Sequence, residues 1–158
     1  MIARRALIVA GIALAIAACA YKPGSSSSSQ RPARELVGQR ASIGCLDIAV
    51  DRRTDTGSSA VLGYTFGNRC EHPTVIDLAW VNVIGRTSNG AEVTLVPYDP
   101  NGELAVVKLD GREMGAESIT YPAPEALGQL CVDVASLAQQ KPAQWLCFGN
   151  PEALAMLD

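Results

Sequence analysis

A single histidine, a basic complement of only 13 side chains and the lack of any apolar run long enough to cross a bilayer are the first scarcities in this 158-residue chain. One histidine leaves a Ser-His-Asp triad a single candidate base, and no serine stands in a G-x-S-x-G context to partner it. The basic residues are outnumbered by 16 acidic ones, for a formal charge of −3, and they form no patch, which excludes a nucleic-acid backbone as partner. The longest apolar run, Ala6 to Ala18, has thirteen residues, whereas a ~30 Å hydrocarbon layer needs about 20 in a helix. No repeat of period 20 to 50 recurs, so a chain of this length, 48% hydrophobic and 18% charged, is expected to bury one ordinary core.

What is present begins at that short run. Arg4 and Arg5 precede it and small residues end it, which is the n-region, h-region and cleavage site of a secretory signal peptide. Ile16, Ala17 and Ala18 followed by Cys19 resemble the lipobox of bacterial lipoproteins, a likeness confined to residues 1–20. It implies that residues 1–18 are a lipoprotein signal peptide and that Cys19 is acylated as the first mature residue. The bilayer is then a partner through that cysteine. Each buried CH₂ contributes roughly 0.8 kcal/mol, and the two or three chains that such a cysteine carries make a lasting anchor. Ala20 and Tyr21, with no Asp at the second mature position, imply the outer membrane. Loss of Arg4 and Arg5 with the signal moves the formal charge from −3 to −5.

Residues 19–40 then read as the lipidated cysteine and a flexible tether, because "KPGSSSSSQRPARELVGQR" has too few large apolar side chains to offset its ordering entropy. Residues 41–158 read as the folded domain. There the period is two: Leu46, Ile48 and Val50 alternate with Asp47, Ala49 and Asp51, and Leu62, Tyr64 and Phe66 with Gly63, Thr65 and Gly67. Gly57 is available for the turn between them. Asn89-Gly90 is the preferred pair for a two-residue hairpin loop, which would set Ile84 against Leu95 and Val83 against Val96. "ELAVVKL", "ESITY", "LCVDV" and "QWLCF" add four strands. Seven to eight short strands, with turns every 8 to 12 residues and no long helical stretch, predict an all-β, two-sheet antiparallel sandwich. The order of strands resembles immunoglobulin-like envelope modules.

Four cysteines remain beside Cys19, an even number in an exported chain, which implies disulfides. Local pairing is expected, Cys45 with Cys70 and Cys131 with Cys147. Setting Cys45 directly opposite Cys70 would place Leu46, Ile48 and Val50 across from Arg69, Gly67 and Thr65, so either a bulge intervenes or the bridge lies beyond the regular ladder. Cys70, Glu71 and His72 carry metal-ligand chemistry, but without the spacing of a known site, and Cys70 is better used as half a cystine. Asp99, Asn101 and Glu103 depart from a calcium-loop pattern and read as a turn. Arg52, Arg53 and Asp51 read as a solvated edge. The expectation is no metal, no cofactor and no catalytic residues. The chain is then a non-catalytic binding or assembly module of the cell envelope that holds a protein or glycan partner, with Trp80, Tyr98, Tyr121 and Trp145 as candidate contacts. The alternative is a small envelope enzyme or enzyme inhibitor in which Glu71, His72 and Asp99 converge.

Overall fold

A computed structural model describes residues 36–53, 55, 58–99 and 106–150. The signal peptide, Cys19, most of the tether, Gly57, Asn101 and Glu103 lie outside the described residues. The fold is an all-β antiparallel sandwich. Its strands are β1 Gln39–Ile43, β2 Leu46–Arg52, β3 Ser59–Asn68, β4 Thr74–Asp77, β5 Asn82–Thr87, β6 Glu92–Leu95, β7 Val106–Leu109, β8 Met114–Pro122, β9 Leu127–Asp133 and β10 Trp145–Gly149, with a 3-10 turn at Leu78–Trp80 and an α-helical turn, α1, at Val134–Leu137. Two strands exceed the expected eight. β1 and β4 are short and carry few apolar residues, so their identity comes from pairing partners rather than from their own pattern. β1 also begins two residues ahead of the expected boundary at Ala41.

One sheet has the order β1-β2-β3-β8, the other β10-β9-β5-β6, and β4-β7 form a two-stranded ribbon. With β2, β3 and β8 as strands A, B and E, and β10, β9, β5 and β6 as G, F, C and C′, this is the strand order of the immunoglobulin-like sandwich. The interior is filled by the predicted alternation: Leu46, Ile48 and Val50 of β2 and Leu62, Tyr64 and Phe66 of β3 meet Val83 of β5, Leu95 of β6 and Leu130 and Val132 of β9. Deep among them the Tyr64 and Tyr121 hydroxyls are 2.7 Å apart. Each phenol satisfies the other where water does not reach.

The hairpin between β5 and β6 differs from expectation by one residue. Gly90 N donates to Thr87 O and Thr87 N to Ala91 O, so the loop has three residues, with Gly90 at φ 86°, the form in which a type I turn is followed by a left-handed glycine. Val83 therefore faces Leu95 and Ile84 faces Thr94. A slip of one residue exchanges the two faces of a strand: Leu95 goes into the core, and Val96 is 71% exposed.

Candidate functional site

The displaced register leaves an open apolar surface beside β6. β6 is the last strand of its sheet, and beyond it the chain leaves toward the opposite sheet, where Tyr98 N donates to Thr120 O of β8. Between this segment and the connection after β8 lies an open groove of about 400 Å³, lined by Val93 to Asp99 with Pro122 and Pro124. Val96 and Tyr98 stand at its rim, 71% and 61% exposed. The lining is mostly apolar, and Asp99 is its one ionisable carboxylate. Prolines in the wall offer no backbone N–H and hold a fixed shape.

Of the aromatic residues singled out from the sequence, Tyr98 belongs to this groove. Trp80 is exposed in the 3-10 turn Leu78–Trp80, its Nε1 donating to Asp77 Oδ2, and Trp145 is half-exposed at the start of β10. Tyr121 is buried and takes no part in any surface. Burial lifts both interior phenols, Tyr64 and Tyr121, above the ordinary tyrosine pKa; for Tyr64, an ionised Tyr121 alongside would add to the effect.

Glu71, His72 and Asp99 do not converge. Asp99 follows Tyr98, which bonds Thr120 opposite Val61, whereas Asn68 at the far end of β3 binds the backbone of His72. The two ends are separated by most of the length of β3, roughly 20 Å at 3.3 Å per residue.

Both cystines are formed as expected, Cys45–Cys70 with Cα atoms 5.4 Å apart and Cys131–Cys147 with Cα atoms 4.1 Å apart. Cys131 and Cys147 are direct partners in the β9–β10 ladder. Leu46 pairs with Asn68 at the end of the β2–β3 ladder, and Arg69 N donates to Cys45 O. The first bridge thus lies past the regular pairing, which resolves the parity conflict without a bulge. Around it the buried Asn68 is the organiser: its Nδ2 donates to His72 O and Asp110 O, and its Oδ1 accepts from Cys70 N. A buried Asn ahead of a Cys is not distinguishable in sequence from a turn residue.

Arg52 departs furthest from its sequence reading. Its side chain is 2% exposed, ion-paired to Asp55 at 2.7 Å, with Nη2 also donating to Leu127 O of the facing sheet. The missed signal was parity. Arg52 continues Leu46, Ile48 and Val50 on the inward face, whereas Arg53 and Asp51 continue the outward one and pair there at 3.4 Å.

No protein-family model matches this chain, and no curated protein matches it. Among solved structures it is similar to the yjhA protein from Bacillus subtilis, at 13% identity and a TM-score of 0.43, over 66% of this chain and 84% of that one.

Proposed function

We propose that the chain is a lipid-anchored module of the cell envelope, held in the outer membrane through acylated Cys19, that binds an extended segment of a partner protein without catalysis. The observation that carries the binding role is the groove along β6. An edge strand presents unpaired backbone groups that a second strand can satisfy, and the apolar wall beside it, with Val96 and Tyr98 at the rim, gives alternate side chains of such a segment a place to bury. Pro97, Pro122 and Pro124 are rigid, so less ordering entropy opposes binding. The anchor and the tether rest on the sequence alone: a short signal-like run ending at Ile16-Ala17-Ala18-Cys19 and a serine-rich spacer give the domain reach from a membrane surface. Among the described residues no helix is long and apolar enough to cross a membrane.

A photo-crosslinking residue placed at Tyr98 in the full chain, irradiated in intact envelopes, is expected to capture a discrete protein partner. Val96→Asp should abolish capture by charging the rim. Capture from position Trp80 or Trp145 but not from Tyr98 would move the binding surface off the groove and overturn its assignment.

A further inference from the structure

The corner that holds the first disulfide contains a second arrangement of the same atoms. The sulfurs of Cys45 and Cys70 and an imidazole nitrogen of His72 all lie within 4.8 Å of one another, with the cysteines half-buried and the histidine exposed. Donors bound to one ion at roughly 2.0–2.3 Å stand about 3.5–4 Å from each other, so opening the S–S bond and shifting the side chains by about an ångström would seat a cation among all three. We propose that the Cys45–Cys70 cystine is the closed form of a soft-metal site, and that its reduced form binds one monovalent copper ion through two thiolates and the His72 imidazole.

The backbone that presents these donors does not depend on the bond between the sulfurs. Asn68 holds Cys70 N and His72 O, Arg69 N donates to Cys45 O, the Arg69 guanidinium donates to Gly44 O, and Arg112 N donates to Cys70 O. Gly111 packs so closely on the Glu71 backbone that a Cβ there would overlap Glu71 O and C. None of these contacts involves sulfur, so reduction leaves the loop where it is and removes one constraint. Donors fixed in this way meet a metal with little reorganisation.

The redox step balances with a dithiol donor. A donor thiolate attacks one cystine sulfur, the S–S bond breaks and the departing cysteine takes a proton. The second donor sulfur then displaces the other cysteine, which is protonated in turn. Two electrons have passed from the donor, now a disulfide, to the chain, now a dithiol. Copper binding releases one proton from each thiol, and the neutral imidazole contributes a lone pair. Copper is favoured over zinc by number and by softness. Zinc held by these three donors would need a water or another group to complete its tetrahedral shell, whereas monovalent copper is satisfied by two or three; the intervening Glu71 carboxylate is turned away, toward Arg112, 4.0 Å distant. Thiolate-rich sets of few donors select monovalent copper.

The test is an anaerobic titration of the full chain with Cu⁺ against a colorimetric competitor, with Cys19→Ala in every sample so that the fifth cysteine contributes no donor. The reduced chain is expected to take up one Cu⁺ and the oxidised chain none. Cys45→Ser with Cys70→Ser should lose the site, and Cys131→Ser with Cys147→Ser should keep it. His72→Ala, which alters an exposed side chain and leaves the core alone, should weaken binding by more than the roughly 10–100-fold that losing an outer partner of a ligand costs. If the Cys45/Cys70 variant does not fold, alkylating those two thiols in the reduced native chain takes its place. Equal affinity in His72→Ala, uptake that follows Cys131 and Cys147, or displacement of Cu⁺ by an equal concentration of Zn²⁺ would each overturn the proposal.

Discussion

At the scale of single residues, two interior polar groupings fix more than their number suggests. Arg52 reaches from β2 to Leu127 O in the facing sheet and is paired with an Asp55 whose side chain is 19% exposed. Arg52→Ala would leave that carboxylate and a backbone carbonyl short of a partner. We expect a loss of about 3 kcal/mol in chemical denaturation, within the range for breaking a buried pair; a change below about 0.5 kcal/mol, as at an ordinary surface site, would show that the pair is solvated. The Tyr64–Tyr121 contact is neutral and reciprocal. Tyr64→Phe alone strands the Tyr121 hydroxyl and should cost about 1–2 kcal/mol, while the double Phe variant should cost clearly less than the sum of the two single changes. The same pair sets an alkaline limit. Burial raises both phenols in the folded state, so their contribution is complete below the unfolded value of about 10 and declines as pH rises above it, because the unfolded chain then releases protons that the folded chain retains. Thermal melts from pH 8 to 11 should fall more steeply for the wild type than for the double Phe variant.

At the scale of elements, the β5–β6 hairpin and the entry into β1 each rest on a glycine with positive φ, for different reasons. Gly90 has φ 86° and nothing within 4 Å of where a Cβ would stand. Gly90→Ala should therefore cost only the backbone term, about 1 kcal/mol. Gly38 has φ 102°, and a Cβ there would overlap the Val50 carbonyl, so Gly38→Ala adds a main-chain clash and should be the more damaging by a clear margin in urea denaturation. Equal losses would mean that the start of β1 yields to the extra atom. The cystines divide similarly. The Cys131–Cys147 link joins strands already hydrogen-bonded along a five-residue ladder, and Cys45–Cys70 closes the longer segment, with sequence separations of 16 and 25. In the chain-entropy model both stabilise by roughly 3 kcal/mol. The practical difference is location: the second pair lies inside a ladder, the first at its open end beside His72.

At the scale of the whole molecule, the proposed anchor lies ahead of the sandwich in the chain. If Cys19 is the acylated first residue, Cys19→Ala should yield an uncleaved precursor or a soluble product in place of a membrane-bound one. Mass spectrometry of the mature amino terminus is the direct measurement. Unchanged membrane fractionation with no acyl mass would sink the anchor. With the groove lying on the flank of the sandwich beside β6, the proposed partner strand would join the β10-β9-β5-β6 sheet at its free edge.

The sequence by itself determined the β class, the inward faces of β2 and β3, and both cystine pairings. A period of two is a local property, and each bridge joins cysteines that are neighbours in sequence among the four. Three things were decided only by the tertiary structure. The β5–β6 register depended on whether Asn89-Gly90 formed a two-residue loop or the last part of a three-residue one, a choice made by the burial of Val83 and Leu95 against the opposite sheet. β1 and β4 are strands because neighbours supply their hydrogen bonds, which no composition of "QRASI" or "TVID" could announce. The groove and the Cys45–Cys70–His72 corner exist because residues distant in sequence are brought together, Tyr98 with Pro122 by the crossing of the chain between two sheets and Cys45 with His72 by the pairing of β2 with β3. A one-dimensional pattern carries periodicity and chemistry; proximity between its separate parts arises only when the core closes.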